Sequence, residues 1–311
     1  MPRVLVSGSI AYDQIMVFPD LFRNHFVADK LHNINVSFNV SEHNEHFGGT
    51  AGNIAYNVKL LGEVPTILAT GGKDFARYDE HLKGLGIETE SIHRNPEKST
   101  SFAYILTDKG DNQITGFHLG AGGTPYGPFP TEQAALAIIG PGCFDDMRDL
   151  PIACRDAKVP FFFDPGQVIP ALPIESLRGG FEGAAAVFGN DYEFSMLSKR
   201  LDWNEKEMLE HTKTLIITLG EKGTRIVTHE GETTVAAVPA KAVVDPTGAG
   251  DSYRAGFMKG FLAGLPPETC AKIGSAVAVY CVEVRGTQEH HFSMPELKER
   301  YEQAYGGMFP L

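Results

Sequence analysis

One stretch of this 311-residue chain combines a carboxylate with the kind of backbone that an anion requires. It runs Val243-Val244-Asp245-Pro246-Thr247-Gly248-Ala249-Gly250-Asp251-Ser252-Tyr253-Arg254-Ala255-Gly256-Phe257. The apolar start reads as the end of a strand, Gly248-Ala249-Gly250 as a turn, and the remainder as a helix beginning at or near Asp251. Glycines let a backbone approach a ligand closely and adopt positive φ. The unpaired amides of a helix N-terminus suit an anion such as a phosphoryl group in transit. A carboxylate on that turn would accept a proton from an attacking hydroxyl, general-base work that contributes roughly 10²–10⁴-fold. The same residues describe equally well a plain turn in which Asp251 caps a helix. No Gly-x-x-x-x-Gly-Lys-Ser/Thr run occurs, which excludes a P-loop as the phosphate grip. A second carboxylate, Asp13, follows the first apolar segment in Gly8-Ser9-Ile10-Ala11-Tyr12-Asp13. It could accept hydrogen bonds from two neighbouring hydroxyls, or serve as a turn or cap.

The elements that must carry these groups alternate. Arg3–Val6, Pro65–Ala69, Phe161–Asp164, Ala185–Phe188 and Thr214–Leu219 read as short strands ending at glycine, proline or asparagine. Helical periodicity marks Gly52–Leu61, Asp191–Ser198, Asp251–Ala263 and Pro267–Val284. Strands alternating with helices predict an α/β fold whose mostly parallel sheet is covered on both faces. Two stretches alternate instead with period two: Ile15–Phe47, including Ile34 to Val40, and Ser99–His118 around a turn at Asp108–Asn112. Such alternation predicts half-buried antiparallel strands, either a small sheet over the ligand site or an edge extension or dimer contact. Without a repeat or a low-complexity linker, one domain spanning residues 1–311 is the simplest organisation, with a lid from about 14–47 and 99–120.

Composition narrows the function classes. Apolar residues make up 42% and charged residues 21%, and no apolar run reaches the length of a membrane span. The chain opens on a strand rather than a signal-peptide core, so a cytoplasmic location is expected. A net charge of −12 disfavours nucleic acid as a partner yet leaves a small nucleotide, held by local amides, acceptable. Cys143, Cys154, Cys270 and Cys281 form no Cys-x-x-Cys pair and read as buried thiols. His43 and His46 flank Glu45, and His290 adjoins His291, but neither spacing is that of a zinc helix.

Four segments in order resemble the ribokinase (PfkB-type) family of carbohydrate and nucleoside kinases. They are Phe47-Gly48-Gly49-Thr50-Ala51-Gly52-Asn53-Ile54-Ala55, Gly189-Asn190-Asp191-Tyr192-Glu193, Ile217-Thr218-Leu219-Gly220-Glu221-Lys222-Gly223 and Asp245–Asp251. The resemblance covers essentially the whole chain and implies a ribokinase-like three-layer α/β/α domain with a small β lid. It implies Asp251 as base, with the amides of Gly248, Ala249 and Gly250 holding the moving phosphoryl group. Asn190 and Glu193 would organise Mg²⁺, its water and the ATP phosphates, while Thr218, Gly220 and Gly223 line the nucleotide loop. Asp245, Thr247 and Gly286 match a site for a monovalent cation such as K⁺.

On the acceptor side the resemblance implies Asp13, Gly48, Gly49 and Asn53 around a sugar. Gly-Ser-Ile-Ala-x-Asp and Asp-x-x-Arg-Ala-Gly-Phe are similar to bacterial adenosine-kinase-like proteins, and there Phe102 and Phe117 fall where aromatics surround the base. Ser9, Ser37 and Gln167 would add polar contacts. The expected activity is transfer of the ATP γ-phosphoryl to the 5′-hydroxyl of a purine nucleoside, adenosine or inosine. A ribokinase-like sugar kinase and a non-catalytic ligand-binding regulator are the rivals. The resemblance leaves monomer and homodimer both open.

Overall fold

The computed structural model describes residues 3–26, 33, 35–110 and 112–311. Its strands are β1 Arg3–Ser7, β2 Ala11–Val17, β3 Glu42–Gly48, β4 Val64–Leu68, β5 Thr70–Gly71, β6 His93–Arg94, β7 Ser101–Thr107, β8 Gln113–His118, β9 Ala134–Ile139, β10 Phe161–Phe163, β11 Ala186–Asn190, β12 Thr214–Thr218, β13 Thr224–Thr228 and β14 Gly231–Val235. Its helices are α1 Thr50–Leu60, α2 Ala76–Gly84, α3 Phe144–Asp156, α4 Ile174–Phe181, α5 Asp191–Leu201, α6 Glu205–Leu209, α7 Ala249–Leu262, α8 Pro267–Val282 and α9 Met294–Tyr305.

An eight-stranded sheet in the order β14-β13-β12-β11-β10-β9-β1-β4 forms the middle layer. β4 through β12 in that order run parallel, and the β13–β14 edge is antiparallel. Strand parity divides the core in two. Val4, Val6, Ile138, Phe162 and Phe188 face α1, α7 and α8, whereas Leu5, Ile139, Phe161, Phe163 and Val187 face α3, α4 and α5. Burial on both faces is why Phe161-Phe162-Phe163 reads as an unbroken apolar run rather than an alternation. α7 and α8 pack unusually close: a Cβ on Gly256 would lie 2.8 Å from Gly274 Cα, so larger residues there would push α7 off its place.

A second sheet, β3-β2-β7-β8, joins β2 to β7 in parallel and to β3 in antiparallel, with β7 and β8 as a hairpin. It draws on both alternating stretches, but the alternation at Ile34–Val40 does not become a strand: 35–40 are irregular and Ile34 lies outside the described residues. The strand starts earlier instead, at Ala11. The apolar Val243-Val244 is likewise no strand. Val243 is exposed and Val244 N–H donates to the Val282 carbonyl, so an extended loop leads into α7. Among the described residues no helix is long and apolar enough to cross a membrane.

Candidate active site

Asp251 sits in the first turn of α7, where a carboxylate is favoured by the helix dipole. Asn53 of α1 donates from Nδ2 to Asp251 Oδ2 at 2.8 Å, although 198 residues separate the two. Burial pushes the Asp251 carboxyl up to about 6; the Asn53 bond and the nearby Arg254 charge pull it down, and Asp164 pushes it up. Arg254 and Asp164 are both buried and form an ion pair, with Arg254 Nη2 donating at 2.8 Å. Arg254 Nη1 also donates to the Gly250 carbonyl at 3.0 Å, which ties the guanidinium to the turn before the base.

Asp13 lies on β2 opposite His46 of β3, and its side chain is almost wholly buried. Burial raises its carboxyl to about 7, and the charges of Asp251 and Asp245 raise it further. The charge of Asp251 thus reaches Asp13, so the two carboxyls are neighbours. Gly48 leaves room for the Asp13 carboxylate, since a Cβ there would fall 2.0 Å from Oδ2. Gly49 adopts φ 86°, and its Cβ would meet Ala11 N at 2.7 Å. Both glycines are therefore required where β3 turns into α1.

Gly248 at φ 78° is the N-cap of α7. Among the described residues the N–H groups of Gly248, Gly250 and Asp251 have no partner in the chain, whereas Ala249 N–H donates to the Pro246 carbonyl at 3.2 Å. The free donors are thus those on either side of Ala249, together with that of Asp251 itself. Asp245 stitches this turn to a second loop, accepting from Thr247 N at 3.0 Å and Gly286 N at 3.1 Å.

Asn190 and Glu193 close a capping box on α5: Glu193 N donates to Asn190 Oδ1 at 2.8 Å, and Asn190 N to Glu193 Oε2 at 2.7 Å. This leaves Glu193 Oε1 without a partner among the described residues. Burial and the Asp164 charge raise the Glu193 carboxyl. Thr218 ends β12, donating to the Gly189 carbonyl at 3.4 Å. Gly220 borders open space. Gly223 has a different reason to be glycine than the approach of a nucleotide. At φ 95° its Cβ would lie 2.0 Å from the Val235 carbonyl, so it closes β13 against β14.

The remaining predicted contacts divide. In the β2-β7-β8 register, Asp13, Ala103 and Phe117 share one face, while Tyr12, Phe102 and His118 share the other. Phe117 is exposed on the Asp13 side. Phe102 turns away and packs with Tyr104 and His118, their ring centroids 5.2 Å and 4.9 Å away. Of the two expected aromatics, only Phe117 therefore lies on the face that carries Asp13. Ser9 is buried, with its Oγ accepting from Thr50 N at 3.2 Å at the start of α1. Ser37 and Gln167 are exposed, and neither has a side-chain bond that fixes it toward Asp13. Sequence reasoning missed Asp164, Arg254, Tyr78, His81 and Gln288. Asp164 and Arg254 had a visible signal, a carboxylate at the end of a strand and an arginine one turn after Asp251.

This arrangement has close counterparts. The pfkB family carbohydrate kinase pattern matches residues 6–293. The chain belongs to that family. It is 34% identical to a nucleoside kinase of Methanocaldococcus jannaschii over 97% of both chains. The nucleoside kinase of Burkholderia thailandensis is 36% identical. Its structure with inosine covers 98% of this chain and 99% of its own, with a TM-score of 0.88; its ADP-inosine complex gives 0.86, and its ligand-free form 0.79. This pfkB-family enzyme is a phosphotransferase with an alcohol group as acceptor, and ATP is its co-substrate.

Proposed function

We propose that the protein transfers the γ-phosphoryl group of ATP to the 5′-hydroxyl of a purine nucleoside, adenosine or inosine. The observation that carries this reading is the pair of neighbouring carboxylates, buried Asp13 and half-buried Asp251, the latter beside the open amides of α7. Asp13 accepts from the two ribose hydroxyls and so points the 5′-hydroxyl at Asp251. Asp251 takes the 5′ proton as that oxygen bonds to the γ-phosphorus and the bond to the ADP oxygen breaks. The N–H groups of Gly248 and Gly250 meet the charge on the phosphoryl oxygens in transit. The β2-β3-β7-β8 sheet acts as a lid that keeps water, the competing nucleophile, from the site.

Mg²⁺ fits the nucleotide side in a water-rich manner. Glu193 keeps one free carboxylate oxygen in a site with excess negative charge, and no cluster of three or more metal-ligating side chains occurs among the described residues. Bound there, it would neutralise phosphate charge. For a monovalent cation, Asp245 accepts one N–H on each oxygen and so retains a lone pair on each, and the Thr247 carbonyl accepts only the weak Cys281 Sγ bond at 3.3 Å; with the Gly286 carbonyl these oxygens would hold K⁺.

The two raised carboxyls give a pH signature. Both must be ionised to act, so kcat/KM should fall as pH drops through about 7 and about 6, with a limiting slope above one proton. The effect on stability has the opposite sign. A carboxyl raised in the folded state contributes stability that is lost as pH rises through its folded value. The melting temperature contributed by these groups should therefore rise on acidification from about pH 8 to pH 6, as calorimetry would record.

Strand parity also predicts a split between the aromatics. Phe117→Ala should raise the nucleoside KM roughly tenfold or more, given about 1–3 kcal/mol for stacking on a base. Phe102→Ala should leave KM near wild type and lower stability by about 2 kcal/mol through lost packing. Steady-state kinetics and melting of both variants check this. For the substrate class, ADP release would be compared across adenosine, inosine, guanosine, cytidine, ribose and fructose 6-phosphate. Turnover with purine nucleosides is expected; turnover with sugars alone would move the activity to a sugar kinase.

A further inference from the structure

We propose that Gln288 is a positioning residue that fixes which end of the Asn53 amide meets Asp251. The proposal rests on Asp251 being the base. An ionised carboxylate only accepts hydrogen bonds, so the Asn53 group 2.8 Å from Asp251 is its NH₂. Asn53 Oδ1 then faces away, and Gln288 Nε2 donates to it at 3.0 Å. The same Gln288 NH₂ donates to Tyr78 OH at 2.7 Å, and Tyr78 donates to the Gly48 carbonyl at 2.7 Å. Gln288 Oε1 is left to accept from His81 Nε2 at 2.9 Å. The chain of bonds has a single polarity. Reversing either amide would set acceptor against acceptor or donor against donor.

The links come from separate parts of the fold: Asn53 from α1, Tyr78 and His81 from α2, Gln288 from the loop after α8, and Asp251 from α7. Tyr78 and Gln288 are buried, and the His81 ring stacks on Phe47 with centroids 4.0 Å apart. Burial lowers the His81 pKa, so at neutral pH its one ring proton is the one given to Gln288. A buried amide left unmatched here would be costly, which makes the orientation a property of the whole chain of bonds rather than of Asn53 alone. The charged and titratable groups around Asp251 are Arg254 on its own helix, Asp164 after β10, Asp13 on β2, Tyr78 on α2 and Cys281 on α8. Glu289 lies near His81.

The test is the pH dependence of kcat for the full chain with ATP, Mg²⁺ and inosine. Gln288→Glu places an acceptor where Asn53 Oδ1 now points. Asn53 must then turn its NH₂ to position 288 and its oxygen to Asp251, which retains a proton to donate. The acid limb should move up by about one pH unit or more. Gln288→Met removes the polarity and lets Asn53 keep its NH₂ on Asp251, so kcat falls while the limb stays in place. In an Asn53→Ala background the Gln288→Glu shift should shrink to less than half, because the amide transmits it. An unmoved limb in Gln288→Glu, an equal shift in Gln288→Met, or a full shift without Asn53 would each overturn the proposal. Should Gln288→Glu not fold, His81 substitutes for it. His81→Leu should shift the limb upward and His81→Gln, which keeps a donor, should not; identical limbs would overturn the proposal. Asp251→Asn in the same assay separates the two claims. Retained turnover there removes the base, whereas a dead Asp251→Asn beside a wild-type Gln288→Glu profile removes only the role of Gln288.

Discussion

Asp251→Asn should lower kcat by roughly 10²–10⁴-fold, the range for a positioned general base, while nucleoside binding stays close to wild type. The amide is nearly the same size, and its oxygen can still accept from Asn53, so α1 and α7 stay joined. What disappears is the only carboxylate placed in the first turn of α7, beside the free amides. The fold should not suffer. Burial is the main cause that raises the Asp251 carboxyl, so the ionised form is carried at a cost that a neutral amide avoids. The melting temperature at neutral pH is expected at or above the wild-type value. Rapid quench and calorimetry on one preparation measure both, and a loss of turnover accompanied by a loss of fold would not count for the base.

Asp13→Ala should act on the other side of the reaction. Hydrogen bonds to a charged group contribute about 1.5–3 kcal/mol each, so losing two from a ribose diol should reduce kcat/KM by roughly 10²–10⁴-fold. The loss should fall on KM and kcat together, because an acceptor that is no longer held by its diol also loses the aim of its 5′-hydroxyl. A 2′,3′-dideoxynucleoside should distinguish this from misfolding. Wild-type enzyme should handle it poorly, and Asp13→Ala should show little further loss with it. Steady-state kinetics on both substrates with both proteins close the cycle.

The parts of the site that were legible in the sequence are those written locally. Gly49 and Gly248 occupy backbone that a side chain would obstruct, and Asp251 follows its turn directly, so type and spacing announce them. Other parts depend on partners far along the chain. β9 is an interior strand of the sheet, yet Ala134-Ala135-Leu136-Ala137-Ile138-Ile139 is too rich in alanine to read as a strand without its neighbours β1 and β10. The helix at Phe144–Asp156 holds Pro151 and so hides its period. Phe102 and Phe117 are separated by register. Both residues are aromatic on paired strands, but Phe102 lies opposite His118, and that one-residue offset sends the two rings to opposite faces. Gln288 reaches Tyr78 across 210 residues, a juxtaposition that topology alone creates.

The position that receives the phosphoryl group is read from the phosphorus NMR spectrum of the product formed from inosine, ATP and Mg²⁺. A monoester resonance split by the two 5′ protons is expected, growing in step with ADP and absent with Asp251→Asn. A resonance coupled to one ribose proton, as from the 2′ or 3′ position, or inorganic phosphate alone, would rule out transfer to the 5′-hydroxyl.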